Sequence, residues 1–321
     1  MTALADAVRA GDRRSLARAI TLVESTRPDH RDEAAALLDE LMPATGGATR
    51  AGVSGAPGSG KSTFIEALGL HLVDAGHRVA VLAVDPSSAR GGGSILGDKT
   101  RMEQLSRSPL AFIRPSPSKG TLGGVARRTR EALLVCEAAG FEVVLVETVG
   151  VGQSEVAVAG MVDAFLLLLA PGAGDELQGV KRGIVELADL VVVNKADGAL
   201  ADLARHTVAD YGHALHLFRP RTDGWTARVL SCSALEGMGI GEVWSALGEF
   251  MDAARASGAL ERRRGEQARD WMWSEVSETL LDRLRSDSHV RAELGAMEAD
   301  VVAGRISPTA AARRLLDRFR T

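Results

Sequence analysis

The sequence predicts an α/β fold, with a mostly parallel central sheet flanked by helices, and three observations carry that expectation. Near-continuous apolar runs of strand length alternate with helix-length segments between about residues 49 and 250. A glycine-rich phosphate-binding pattern stands between the first run and the helix that follows it. Residues suited to ligand chemistry recur where the runs end, and open parallel sheets bind ligands beyond the C-terminal ends of their strands.

The first run, Ala51 to Ser54, leads into GAPGSGKS at Gly55 to Ser62, and Ser62 to Leu70 reads as a helix. This G-x-x-x-x-G-K-[ST] pattern between strand and helix is the context a phosphate loop requires, which makes the predicted fold that of a P-loop NTPase. Gly55, Gly58 and Gly60 let backbone N–H groups turn inward, and the helix start adds unpaired donors and a positive dipole end. Pro57, Ser59 and Thr63 complete the expected phosphate contacts. Lys61 can reach the β- and γ-phosphates, and Ser62 can offer its hydroxyl to Mg²⁺.

The other runs are HRVAVLAVD, PLAFIRP, FEVVLVET, DAFLLLLAP, ADLVVVNKAD and ARVLSCSAL. Their continuous rather than alternating apolar character implies strands covered on both faces. Both ends of the chain read as helical. Leu16, Ile20 and Val23 share one helix face, Leu37, Leu38 and Leu41 a second, and Pro43, Gly46 and Gly47 end that pattern. From about residue 253, Trp273, Val276, Leu280 and Leu284 recur every three or four residues, and Ser307 and Pro308 mark the start of a last helix. The expected organisation is an N-terminal helical extension over 1–47, a P-loop domain over 48–252 and a helical region over 253–321, whose helices either fold back on the core or pair with another copy.

The 321 residues are 45% hydrophobic with a formal net charge of -4. That mildly acidic balance is not the footprint of a nucleic-acid partner. Cys136 and Cys232 stand far apart, so neither a disulfide framework nor a thiolate zinc site is expected. Asp6, Arg9 and Asp12 interrupt the N-terminal apolar residues, which excludes a signal-peptide core, and the FLLLLA run is too short to span a bilayer. The expectation is a reduced, soluble, cytoplasmic protein with no membrane partner.

NKAD, Asn194 to Asp197, follows LVVV and matches the N-K-x-D pattern of GTP-binding proteins. The Asp197 carboxylate can accept from the N1–H and exocyclic amino group of guanine, a paired donor edge that adenine lacks. The stem of Lys195 can lie over the base, and Asn194 can tie the loop to neighbouring backbone. SCSAL carries Ser233, Ala234 and Leu235 where GTPases place a supporting base-contact loop.

Three carboxylates are candidates for Mg²⁺ and water. Asp85 ends the second run, Asp98 lies in the Gly-rich SILGDKTRM, and Glu147 precedes Thr148 and Gly150 where many GTPases read D-x-x-G. The Gly150 N–H can sense a γ-phosphate. Val151 occupies the position at which Ras-like proteins carry glutamine, so hydrolysis is expected to be slow alone or dependent on a partner.

Taken together, GAPGSGKST, AVDPSS, GDKTRM, VETVGVGQSE, PGAGDELQGVKRG and NKAD resemble the MeaB/ArgK family, the GTPases associated with methylmalonyl-CoA mutase. The resemblance covers nearly the whole chain. It implies a GTP-hydrolysing chaperone that gates adenosylcobalamin delivery to an acyl-CoA mutase and protects or reactivates that enzyme, the cobalamin entering only through the partner. It also implies Asp85, Asp98 and Glu147 around Mg²⁺ and water, Lys61 at the phosphates, Lys181 in a third switch that responds to the partner, and a homodimer formed through the C-terminal helices.

Two alternatives stay open. A nickel-insertion GTPase for hydrogenase or urease maturation would need a converging ligand cluster, for which His206, His213 and His216 are the nearest set. A transport-associated ATPase or kinase, an old label for this family, would need ATP preference, against which Asp197 argues.

Overall fold

Among the described residues, seven strands, all parallel, form one sheet in the order β3-β2-β4-β1-β5-β6-β7: β1 Thr49–Gly55, β2 Val79–Val84, β3 Ala111–Arg114, β4 Val143–Thr148, β5 Ala164–Leu169, β6 Leu190–Val193 and β7 Arg228–Ser231. Every apolar run read as a strand forms one. The computed structural model describes residues 2–25, 27–84, 102–115, 122–148, 154–172, 182–216, 218 and 220–319. Thirteen α-helices are described: α1 Ala3–Arg9, α2 Arg13–Val23, α3 Pro28–Leu41, α4 Lys61–Asp74, α5 Glu103–Arg107, α6 Leu122–Ala138, α7 Ser154–Ala159, α8 Arg182–Val185, α9 Ala201–Leu215, α10 Ile240–Ala256, α11 Ala259–Ser286, α12 Ser288–Val302 and α13 Pro308–Arg318.

Side chains alternate across a strand, so each run supplies two cores. Val144, Val146, Leu167 and Val191 pack with Leu16 and Ile20 of α2, Leu37 of α3, Val135 of α6, Val158 of α7 and Tyr211 of α9. Val53, Leu145, Leu166 and Val192 face the other way, against Phe64 and Leu68 of α4, Leu105 of α5 and Leu247 and Phe250 of α10. Burying each of the larger side chains contributes about 1.5–3 kcal/mol. Both faces of the sheet are covered, which is why its strands read as unbroken apolar runs.

The chain divides into two compact units, residues 1–265 and 266–321. The N-terminal helices expected over 1–47 lie within the first, and α10 runs unbroken through position 252, where a division was expected. In the second unit, Ser307 caps α13 by accepting the Ala310 N–H at 3.2 Å, with Pro308 in the first turn. Cys136 is buried on α6, whereas Cys232, expected on a strand, lies one residue beyond the end of β7. Among the described residues, no helix is long and apolar enough to cross a membrane.

Candidate functional site

Backbone geometry at the end of β1 shapes the phosphate loop. A Cβ on Gly55 would stand 2.3 Å from the Leu168 carbonyl oxygen and 2.8 Å from Ser59 Oγ, so strand and loop approach more closely than any side chain allows. Gly60 adopts φ +86° and opens α4 without a side-chain cap, leaving the N–H groups of the first turn to an incoming anion. Pro57 and Gly58 are exposed at the crown of the loop, and Thr63 is exposed on the first turn of α4. Lys61 is buried beneath them, its ammonium donating to the carbonyls of Gly55 at 2.8 Å and Ala56 at 3.2 Å. These carbonyls hold the cation inside the loop, where a phosphate would meet it.

Ser62, the next residue, donates its hydroxyl to Glu147 Oε1 at 2.9 Å, across 85 positions of sequence. Glu147 is buried near the end of β4, whose register pairs it with Val53 of β1 on one side and Ala83 of β2 on the other. A hydroxyl and a carboxylate so placed offer the hard oxygen donors that Mg²⁺ takes. Asp85, Asp98, Gly150 and Lys181 lie outside the described residues.

The residues expected to read the base follow β6 and β7. Asn194 is 2% exposed and holds three segments together. Its Nδ2 donates to the Ser59 carbonyl at 2.9 Å, while Oδ1 accepts the Ala234 N–H at 3.0 Å and the Cys232 thiol at 3.5 Å. Burial pushes that thiol up to about 12, so it stays protonated as a donor at neutral pH. The Ala196 N–H donates to the Cys232 carbonyl at 3.0 Å, which binds the two loops main chain to main chain.

Lys195 takes the left-handed conformation, φ +61°, rare for a residue with a side chain and of the kind that collects at functional sites. Asp197 accepts the Ser233 hydroxyl on Oδ2, and Ser233 Oγ itself accepts the Glu236 N–H at 3.2 Å. Ser233 and Ala234 are buried, and Leu235 stands 81% exposed on the outer side of the loop. The structure therefore joins the GAPGSGKS, NKAD and SCSAL segments into one constellation at the C-terminal ends of β1, β6 and β7. His206 and His213 lie on α9 with His216 just past its end, and no group of three or more His, Cys, Asp or Glu that could hold a metal ion forms among the described residues.

Sequence reasoning gave Gly60 its conformational role but missed its packing role. A Cβ there would lie 2.5 Å from Asn194 Nδ2, so this glycine lets the NKAD loop dock on the phosphate loop. Gly60→Ala is expected to displace Asn194 and weaken GTP binding about tenfold, with the far edge of the sheet unaffected; titration calorimetry of the purified variant checks it. A second missed feature is a hydroxyl pair at the ends of β1 and β4, Thr148 Oγ1 donating to Ser54 Oγ at 2.9 Å. No local pattern pairs two residues 94 positions apart.

Residues 16–289 match the family described as methylmalonyl-CoA mutase-associated GTPase MeaB. The chain is 53% identical over 280 residues to GTPase ArgK of Escherichia coli (strain K12), covering 86% of this chain and 84% of that one. It is 49% identical over 324 residues to the mitochondrial methylmalonic aciduria type A homolog of Mus musculus, covering 97% and 77% respectively. A crystal structure described as a LAO/AO transport system kinase superposes with a TM-score of 0.76 at 42% identity, over 98% of this chain and 95% of that one. With the phosphate loop, the hydrogen-bonded Ser62 and Glu147 pair and the stitched NKAD loop in place, these likenesses establish that the chain belongs to the MeaB family of GTPases.

Proposed function

We propose that this GTPase uses its nucleotide cycle to gate delivery of adenosylcobalamin to an acyl-CoA mutase, most directly methylmalonyl-CoA mutase, and to protect or reactivate that enzyme. The observation that carries the nucleotide half is the Asn194 side chain, bonded at once to the phosphate loop and to the SCSAL loop. That bonding supports a reading in which the base and phosphate contacts act as one unit. The mutase half is supported by the family's description and by the name of the mouse relative.

In this reading Lys61 and the α4 N-terminus hold the phosphates, and Asp197 reads guanine with Ser233 fixing its carboxylate. Ser62 and Glu147, with Asp85 and Asp98, are the residues proposed to hold Mg²⁺ and its water, and the ion would neutralise charge on the phosphates. Glu147 is also proposed to order an attacking water, since it is buried beside the phosphate loop and bonded to Ser62. Lys181 is proposed to answer the partner from the third switch, and Val151 leaves intrinsic turnover slow. The C-terminal helices are proposed as the homodimer region. Met272, Trp273, Leu280 and Leu281 are 47–60% exposed on α11, an apolar surface suited to a second copy. A cytoplasmic location completes the proposal.

The test is GTP turnover by the purified protein with Mg²⁺, alone and with an adenosylcobalamin-dependent acyl-CoA mutase, with ATP as the nucleotide control. Slow GTP turnover that rises with the mutase is the expected result. GTP turnover indifferent to several such mutases would remove the partner assignment, and comparable ATP turnover would favour the transport-kinase reading.

A further inference from the structure

Ser54, next to last in β1, and Thr148, last in β4, set two hydroxyls against each other on an apolar face of the sheet. Ser54 is 1% exposed and Thr148 fully buried, and Thr148 Oγ1 donates to Ser54 Oγ at 2.9 Å. The pair lies on the sheet face that carries Val144, Val146, Leu167 and Leu169. That face is tightly packed: a Cβ on Gly52, two residues before Ser54, would stand 2.7 Å from Val158 of α7. Two hydroxyls in such surroundings offer little net stability over an alanine and a valine of matching shape, because their mutual bond replaces bonds to water.

The position of the pair suggests what the bond does. Ser54 immediately precedes Gly55, whose carbonyl holds the Lys61 ammonium. Thr148 immediately follows Glu147, whose carboxylate receives the Ser62 hydroxyl from the opposite face. Alternation along the strands puts Glu147 and Thr148 on opposite sides of the same two residues of backbone. The sheet is thus pinned twice between β1 and β4, by main-chain pairing and by a side-chain bond at its very end. Beyond Thr148 the chain runs into the segment that holds Gly150.

We propose that Ser54 and Thr148 are positioning residues for GTP hydrolysis: their bond fixes the end of β4 against the root of the phosphate loop and so holds Glu147 in register with Ser62 and Lys61. The inference rests on the reading of this site as a GTPase centre. Both side chains are buried rather than open to a ligand. Loosening the pair therefore changes the chemical step more than nucleotide affinity, because a carboxylate misplaced by a fraction of an ångström still permits binding but aligns its target poorly.

The experiment compares Ser54→Ala, Thr148→Val, the double variant and the conservative Thr148→Ser in steady-state GTP turnover, with thermal unfolding of each protein. Thr148→Val is expected to lower kcat about tenfold while KM for GTP stays within about twofold. Ser54→Ala is expected to do the same, and the double variant should be no slower than either single one because all three lose one bond. Thr148→Ser should restore most of kcat. The double variant should unfold at or above the temperature of the wild type, since it leaves no hydroxyl unpaired. An unchanged kcat in Thr148→Val and in the double variant would overturn the proposal, as would losses of kcat that only track lowered unfolding temperature. A wild type without GTP turnover would remove the GTPase reading itself, a failure distinct from either of these.

Discussion

Asp197→Asn is expected to cost GTP affinity about a hundredfold or more while leaving the fold intact. In the proposed role, Asp197 can accept from both guanine donors only as a carboxylate, and its hydrogen bonds suit that role. Its Oδ2 takes the Ser233 hydroxyl, Ser233 is anchored in turn by the Glu236 N–H, and the loop between is tied down through Asn194 and Ala234. An asparagine in this frame turns one acceptor into a donor aimed at a base donor. Two buried donors then face each other unpaired, the circumstance in which a polar site discriminates most strongly. The same amide is complementary to a base with a carbonyl in place of the exocyclic amino group, so xanthosine triphosphate should bind the variant better than GTP does. Competition between the two nucleotides, measured by calorimetry or by displacement of a fluorescent analogue, decides the matter. GTP affinity unchanged by the substitution would remove Asp197 from base recognition.

Much of this site was legible in the sequence because its parts are local. The phosphate loop, NKAD and SCSAL each declare themselves within a few residues, and each follows an apolar run whose length and β-branched content mark a strand. The strands were legible because burial on both faces makes their central residues almost continuously apolar. What escaped is long-range. Nothing near Gly60 announces that its missing side chain makes room for Asn194. Nothing near Ser54 announces Thr148, and a Ser or Thr at a strand end reads as an ordinary turn-forming residue. The end of the α/β core was equally hidden. Helix periodicity does not reveal which turns of α11 are fastened to the sheet, because the fastening is ionic and its partners lie 74 to 101 positions away.

That fastening carries the largest expected effect on stability. Arg264, in the second turn of α11, donates from Nε to Asp163 Oδ1 at 2.7 Å and from Nη2 to Asp163 Oδ2 at 2.6 Å, and its remaining donors reach the carbonyls of Gly46 and Ala48. These hydrogen bonds to Asp163 hold the guanidinium above its ordinary pKa. Arg263 beside it donates to both oxygens of Asp189, at 3.1 and 3.2 Å, and to Thr222. The two aspartates immediately precede β5 and β6, and their side chains are almost wholly buried, 0% exposed for Asp163 and 2% for Asp189. Arg264→Met keeps the length and apolar volume of the side chain but strands the Asp163 carboxylate, with the Arg50 N–H at 2.9 Å as a neutral bond that remains to it. A buried charge deprived of its partner destabilises by about 3–5 kcal/mol, which urea unfolding would register as a large fall in midpoint with little change in slope. Adding Asp163→Asn removes the charge while keeping an acceptor for Arg50, so the double variant should recover a substantial part of that loss. Asp163 immediately precedes β5, at the N-terminal ends of the strands, whereas the phosphate loop follows Gly55 at the C-terminal end of neighbouring β1. Nucleotide affinity in whatever fraction stays folded should therefore match the wild type. If Arg264→Met lost GTP affinity in the folded protein as well, the clamp would be part of the nucleotide site's own support rather than a separate anchor for α11.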